Sequence, residues 1–270
     1  MSQAAIESLL RRDRLVVSVA LGALSVAAWA YLGYLAFAMS DMATSDMPGM
    51  PGMSITMPDM HPWSWIEFAA LLVMWTVMMV AMMTPAAAPM ILTFAAIHRR
   101  RAAAGQASVP TAIFVLGYFL AWTVYSLAAA AAQAGLHTAA LLSPEMAATS
   151  SLFAGGLLIA AGVFQWTPLK RACLAACRSP LSFLMSRWRE GAGGAFLMGL
   201  RHGVYCLGCC WALMALLFVA GVMNLLWVAA IAVLVLIEKV TPRGHAVGRV
   251  GGVGLIVAGV LLAARSIVSR

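Results

Sequence analysis

Residues 15–38, 65–83, 111–132, 151–166, 195–219, 222–237 and 247–264 form seven apolar runs, and no other feature limits so tightly what this chain can fold into. Most have the roughly 17–25 residues that a helix needs to cross a bilayer. They are continuously apolar rather than alternating, as a lipid-facing strand would be, and a helix satisfies its own backbone polar groups inside hydrocarbon. The expected fold is therefore all-α: a polytopic transmembrane helix bundle of about seven spans, with six to eight allowed because the fourth and sixth runs are short. The chain is 63% hydrophobic and only 10% charged, which excludes an ordinary soluble domain, where about 25% of residues are charged. Arg11, Arg12 and Arg14 precede the first run as in a signal peptide, but that run is too long and lacks a small-residue cleavage pattern.

Charge sets the expected orientation. With a cytoplasmic N-terminus, 15 of the 17 Lys and Arg residues fall on the inner side and only Arg265 and Arg270 on the outer, as the positive-inside rule requires. Asp41, Asp46, Asp59 and Glu145 fall outside. The net charge of +8 thus reads as an orientation signal and a contact with anionic lipid; no soluble basic domain is present to bind nucleic acid. A multi-pass protein of the bacterial inner membrane is expected, divided into a cytoplasmic N-terminus (1–14), a first transmembrane helix (15–38), a periplasmic loop (39–62) and a helix bundle (63–267). Within the bundle, 168–194 reads as a cytoplasmic interfacial segment with Leu174, Leu181, Phe183, Leu184 and Trp188 on its apolar face.

The periplasmic loop is unusual. Met39, Met42, Met47, Met50, Met53, Met57 and Met60 recur every three to five positions among Pro, Gly, Ser, Thr and Asp, and Pro48, Pro51 and Pro58 exclude a regular helix. Metal capture, through Met47, Met50 and Met53 among others, and a plain linker both fit that composition. Pro85 and Pro89 close the second run and predict a kink or break there. The fifth and sixth runs, joined near Gly221 and Asn224, predict a tight antiparallel hairpin.

The chemistry concentrates in residues 198–214. On a helix, residues four apart share a face, and His202, Cys206 and Cys210 follow that spacing, with Cys209 beside them and Met198 and Met214 a turn beyond. Thiolate and thioether suit Cu(I), and thiolate also Zn(II), whereas hard cations want oxygen. The 19 Met residues, including Met78, Met79, Met82 and Met83 beside the prolines, favour copper and rank zinc second. A lone Cys or Met is more often packing than ligand, but an ionisable residue such as His202 inside a span is costly and argues for function. The spacing of Cys206 and Cys209 also fits thiol redox chemistry. Cys173 and Cys177 read as two ordinary interfacial cysteines, with a cytoplasmic metal relay as the alternative. Glu238 and Lys239 read as a boundary anchor, with Glu238 also available as a counter-charge to Arg201 or His202. Glu67 reads as an interfacial residue or part of an entry path, and His61 and His137 as solvated loop histidines.

The chain resembles the bacterial predicted metal-binding integral membrane proteins, a family defined as a domain of unknown function. The resemblance rests on W-x-x-M-M-x-A-M-M-x-P at 75–85, G-L-x-x-G-x-x-C-x-G-C-C-W-x-L-M at 199–214, G-V-M-N at 221–224, and Glu238 with Lys239. It covers residues 65 to 260 and implies Met78, Met82, Met83, Cys206, Cys209 and Cys210 as the places where a metal would bind. The expectation is one soft-metal site between the second and fifth spans, for copper capture, delivery or transport, with no enzymatic activity. No phosphate-cradling Gly-rich loop is present to bind a nucleotide. Expected partners are the lipid bilayer and either a periplasmic metal chaperone or a membrane complex. The two competing uses are a membrane thiol-disulfide protein and a non-catalytic subunit of such a complex.

Overall fold

The computed structural model describes residues 3–44, 64–106, 109–143 and 147–268. The described residues are helical in the order α1 (Gln3–Thr44), α2 (Trp65–Ala103), α3 (Thr111–Thr138), α4 (Ser151–Phe164), α5 (Pro168–Arg178), α6 (Pro180–Ser186), α7 (Gly191–Ala215), α8 (Leu217–Ala220), α9 (Leu225–Val240) and α10 (Gly244–Val268). The all-α expectation holds. The helix α1 runs past both ends expected of the first span, so residues 39–44 are helical rather than loop.

The expected seven spans are matched in part. Among the described residues, five helices are long and apolar enough to cross a membrane: Arg14–Ala38, Trp65–Ala103, Thr111–Thr138, Gly191–Ala220 and Gly244–Arg265. A sixth results if α4 and α5, which meet at a 64° bend, form one broken span. The fourth expected span is thus a 14-residue helix that turns at Gln165 and resumes at Pro168, because proline supplies a ready first turn but cannot continue the preceding helix. The Thr167 side chain caps α5 by accepting from the Lys170 amide. The sixth expected span, α9, has 16 residues and rises about 24 Å, short of the roughly 30 Å hydrocarbon core.

The α2 helix continues through both prolines, contrary to an outright break. Pro85 removes the amide that would bond the Ala81 carbonyl. Ser25 of α1 donates its hydroxyl to that carbonyl at 3.4 Å, and neighbouring helices commonly satisfy freed backbone groups in this way. At the other end, Ser64 and Glu67 form a reciprocal capping box, Glu67 accepting from the Ser64 amide at 2.7 Å.

Close packing relies on glycine. Gly203 of α7 lies against α3, where an added Cβ would sit 2.7 Å from the Ala121 Cβ and 2.8 Å from the Tyr118 carbonyl oxygen. Gly155 and Gly162 of α4 likewise meet the Gly259 and Gly252 carbonyl oxygens of α10, each at 2.7 Å from the added Cβ, in the small-residue manner typical of membrane helices. The turn expected between the fifth and sixth runs is present: Gly221 takes φ +93°, open to glycine without a Cβ penalty, and Asn224 caps α9 by accepting from the Trp227 amide at 3.1 Å, but α9 packs more against α2 and α10 than back along α7.

Candidate metal centre

The 199–214 motif lies entirely on α7, and the glycines within it explain how its polar side chains come to be buried. Gly199 and Gly203 bring the α7 backbone against α3, while Gly208 makes room for α5, its Cα facing the Cys173 thiol so closely that a Cβ would fall 2.7 Å from Sγ. His202, Cys206, Cys209 and Cys210 are all buried. The expected cluster therefore exists as a helix face.

Its surroundings differ from expectation. The site was expected between the second and fifth spans, but α7 packs chiefly against α3 and α5. The thiols consequently look toward α3, α5 and the end of α9. Lys239 of α9 donates to the Cys206 Sγ at 2.8 Å, and the Tyr118 hydroxyl of α3 lies 3.1 Å from the same sulfur. Cys177 of α5 is buried within interaction range of both Cys206 and Cys209, and Cys173 interacts with Cys209. The Cys209 and Cys210 thiols donate back to the Cys206 carbonyl at 3.0 Å and 2.9 Å.

Sequence reasoning did not bring Lys239 or Tyr118 to this site, and it offered Cys177 only as an interfacial cysteine or part of a separate cytoplasmic metal relay. Cys177 and Lys239 were assigned to the membrane boundary, but both are buried. Glu238 does not reach Arg201 or His202: its Oε2 takes a 2.6 Å bond from Lys170 Nζ, both side chains buried, and Lys170 also donates to Gln165. Adjacent on α9, Glu238 and Lys239 thus serve different partners on α5 and α7. Arg178 secures the far end of α5, donating to the Thr241 and Pro242 carbonyls at 2.5 Å and 2.7 Å.

His202 sits in an aromatic box, with ring centroids 5.3 Å from Tyr118, 5.9 Å from Phe183 and 6.3 Å from Phe114. Neither of its ring nitrogens has a hydrogen-bond partner among the described residues, and orphaned buried polar groups of this kind cost about 1–3 kcal/mol. Met78, Met82 and Met83 are fully buried on α2. Of these, Met83 is linked to the thiol cluster through its backbone: the Tyr118 hydroxyl that lies beside Cys206 also donates to the Met83 carbonyl at 3.4 Å. Met47, Met50 and Met53, together with His61, lie outside the described residues.

Among the described residues, no three His, Cys, Asp or Glu side chains are already gathered to hold a metal ion; the thiols are engaged with the Cys206 carbonyl, Tyr118 and Lys239. The donor chemistry nevertheless fits a soft cation, since buried thiols and an unpartnered imidazole share one face of α7 and the neighbouring carboxylate, Glu238, is paired with Lys170. No curated protein and no solved structure matches the chain. A family model described as PpoB2, copper chaperone, matches residues 72–262, a stretch that includes the buried methionines, Cys177, the α7 thiols and Lys239. The chain belongs to this copper chaperone family.

Proposed function

We propose that this protein binds Cu(I) within the membrane and passes it on, acting as a binding protein rather than an enzyme. The observation that supports this reading most directly is the pairing of the buried Cys206 thiol with the Lys239 ammonium at 2.8 Å, with Cys177 and Cys209 alongside. Sulfur held against a positive charge favours thiolate, and thiolate is the form that binds metal. Cys206, Cys209, Cys210 and Cys177 supply the thiols, His202 is a further soft donor on the same helix face, and the buried Met78, Met82 and Met83 of α2 are proposed as a secondary soft surface. Zinc is the second metal to test. In this reading the chain is a multi-pass inner-membrane protein with its N-terminus cytoplasmic and α9 as a seventh, short crossing. The Met-rich loop, through Met47, Met50 and Met53, faces the periplasm and receives copper from a periplasmic metal chaperone or a partner membrane complex.

The test is Cu(I) content and affinity of the detergent-purified protein under reducing conditions, compared with a Cys206→Ser, Cys209→Ser, Cys210→Ser triple variant. Stoichiometric copper that disappears in the variant is the expected result. No copper in either protein, with affinity no better than that of free thiols, refutes the reading. One observation favours a second use: buried Cys177 lies within interaction range of both Cys206 and Cys209, so a thiol-disulfide function would form a bond between α5 and α7. It predicts a redox-active disulfide and indifference to copper.

A further inference from the structure

We propose that Lys239 sets which cations the thiol site accepts, favouring a monovalent soft ion over a divalent one; this rests on the metal-binding reading above. Lys239 is buried, bonds the Cys206 sulfur and interacts electrostatically with Cys177, Cys206, Cys209 and Cys210. Its sequence neighbour does not neutralise it, because the Glu238 carboxylate is committed to Lys170 at 2.6 Å. That pair is neutral as a unit. Glu238 also interacts electrostatically with Cys209 and Lys239, but Lys170 already offsets its charge; the other groups facing the cluster, the Tyr118 hydroxyl, the Tyr125 hydroxyl and the His202 ring, bring no further carboxylate. Lys239 is therefore the charge that a bound ion must share its space with.

The consequence follows from counting charge. Each thiol that becomes a ligand releases its proton to solvent as the metal binds. Two thiolates with Cu(I) carry a net charge of minus one, which the ammonium brings to zero. The same two thiolates with a divalent ion are already neutral, and the ammonium leaves the buried assembly at plus one. Isolated charge in a low-dielectric interior is unfavourable. For any fixed number of thiolates the two complexes still differ by one charge, so removing the ammonium must shift preference toward the divalent ion.

Cu(I) and Hg(II) are suitable probes because both accept two-coordinate thiolate binding and differ by that one charge. Affinities for each are measured by competition with a soluble dithiol, on wild type, Lys239→Met and Lys239→Arg. Lys239→Met is expected to weaken Cu(I) by at least about tenfold, or 1.4 kcal/mol, while Hg(II) binds unchanged or more tightly. Lys239→Arg, which keeps the charge, is expected to hold the Cu(I) to Hg(II) ratio near wild type. If Lys239→Met does not yield monodisperse protein, Lys239→Gln, which keeps a donor for Cys206 without the charge, gives the same comparison. An unchanged ratio in the neutral variant overturns this inference and leaves the copper site standing. Failure of the wild type to bind Cu(I) through its thiols overturns the metal-binding reading itself.

Discussion

The buried pair between Lys170 and Glu238 clamps α5 to α9 and so holds Cys177 near Lys239, which makes it the best place to test whether the site depends on cross-helix charge. The nitrogen and oxygen are 2.6 Å apart, and the side chains are 3% and 2% exposed. At an effective dielectric of about 20, their gross attraction is about 6 kcal/mol. Desolvation offsets much of it, but removing one partner strands the other and costs about 3–5 kcal/mol. Lys170→Met leaves the Glu238 carboxylate buried beside a glycine face, where Gly248 offers no donor side chain: a Cβ there would lie 2.9 Å from Glu238 Oε1. Glu238→Leu strands the ammonium, with only Gln165 still accepting from it. The double variant removes both charges and should return to within about 1–2 kcal/mol of wild type. Reversible unfolding in mixed micelles reads the three values. Single variants costing less than about 1 kcal/mol, or a double variant costing the sum of the singles, would refute the clamp.

Other consequences are equally direct. Gly203→Ala forces a methyl into the 2.7 Å gap to Ala121 and should cost about 1–3 kcal/mol, read as a lowered thermal midpoint. The Trp75 indole donates to Gln133 at 2.6 Å in the core; Gln133→Leu should cost about 1–3 kcal/mol and alter the tryptophan emission, with Trp75→Phe recovering part of the loss in the double variant. Ser25→Ala should destabilise the wild type by about 0.5–1.5 kcal/mol but have a smaller effect in Pro85→Ala, where residue 85 supplies its own amide to the Ala81 carbonyl. If copper binds only the folded state, a chelator that strips it should lower stability by about 2.7 kcal/mol from a starting free concentration of 100 times Kd, and the Cys triple variant should show no such change.

Helix class was legible because a long apolar run has few ways to satisfy its backbone in lipid. The α2 and α7 motifs were legible as helix faces, since i, i+4 spacing needs no tertiary knowledge. Span count was less so. The α4 run looks like a short span, and nothing in its composition says that the chain turns by 64° at Gln165 and continues as α5. The turn depends on Thr167 and Pro168 acting as cap and first residue, a signal present in the sequence but easily read as the start of a surface segment. The α2 prolines misled in the opposite sense. The helix continues past both, and Ser25, the residue that serves the Ala81 carbonyl stranded by Pro85, lies 56 residues away in sequence.

The site itself shows where reading one chain segment at a time runs out. Cys206, Cys209 and Cys210 announce themselves because they share a helix; Cys177 and Lys239 do not, because each is ordinary in its own neighbourhood. A lysine next to a glutamate at the end of an apolar run is the usual form of a boundary anchor, and only the folded chain shows the two side chains parting, Glu238 to Lys170 and Lys239 to Cys206. The separation has a physical logic. The thiols of α7 meet their cation on a different helix, since Lys239 comes from α9. Glu238 then satisfies the lysine that α5 carries in beside Cys173 and Cys177. Each charge is compensated across a helix boundary, which is why α5, α7 and α9 must assemble together before the thiols acquire their partner.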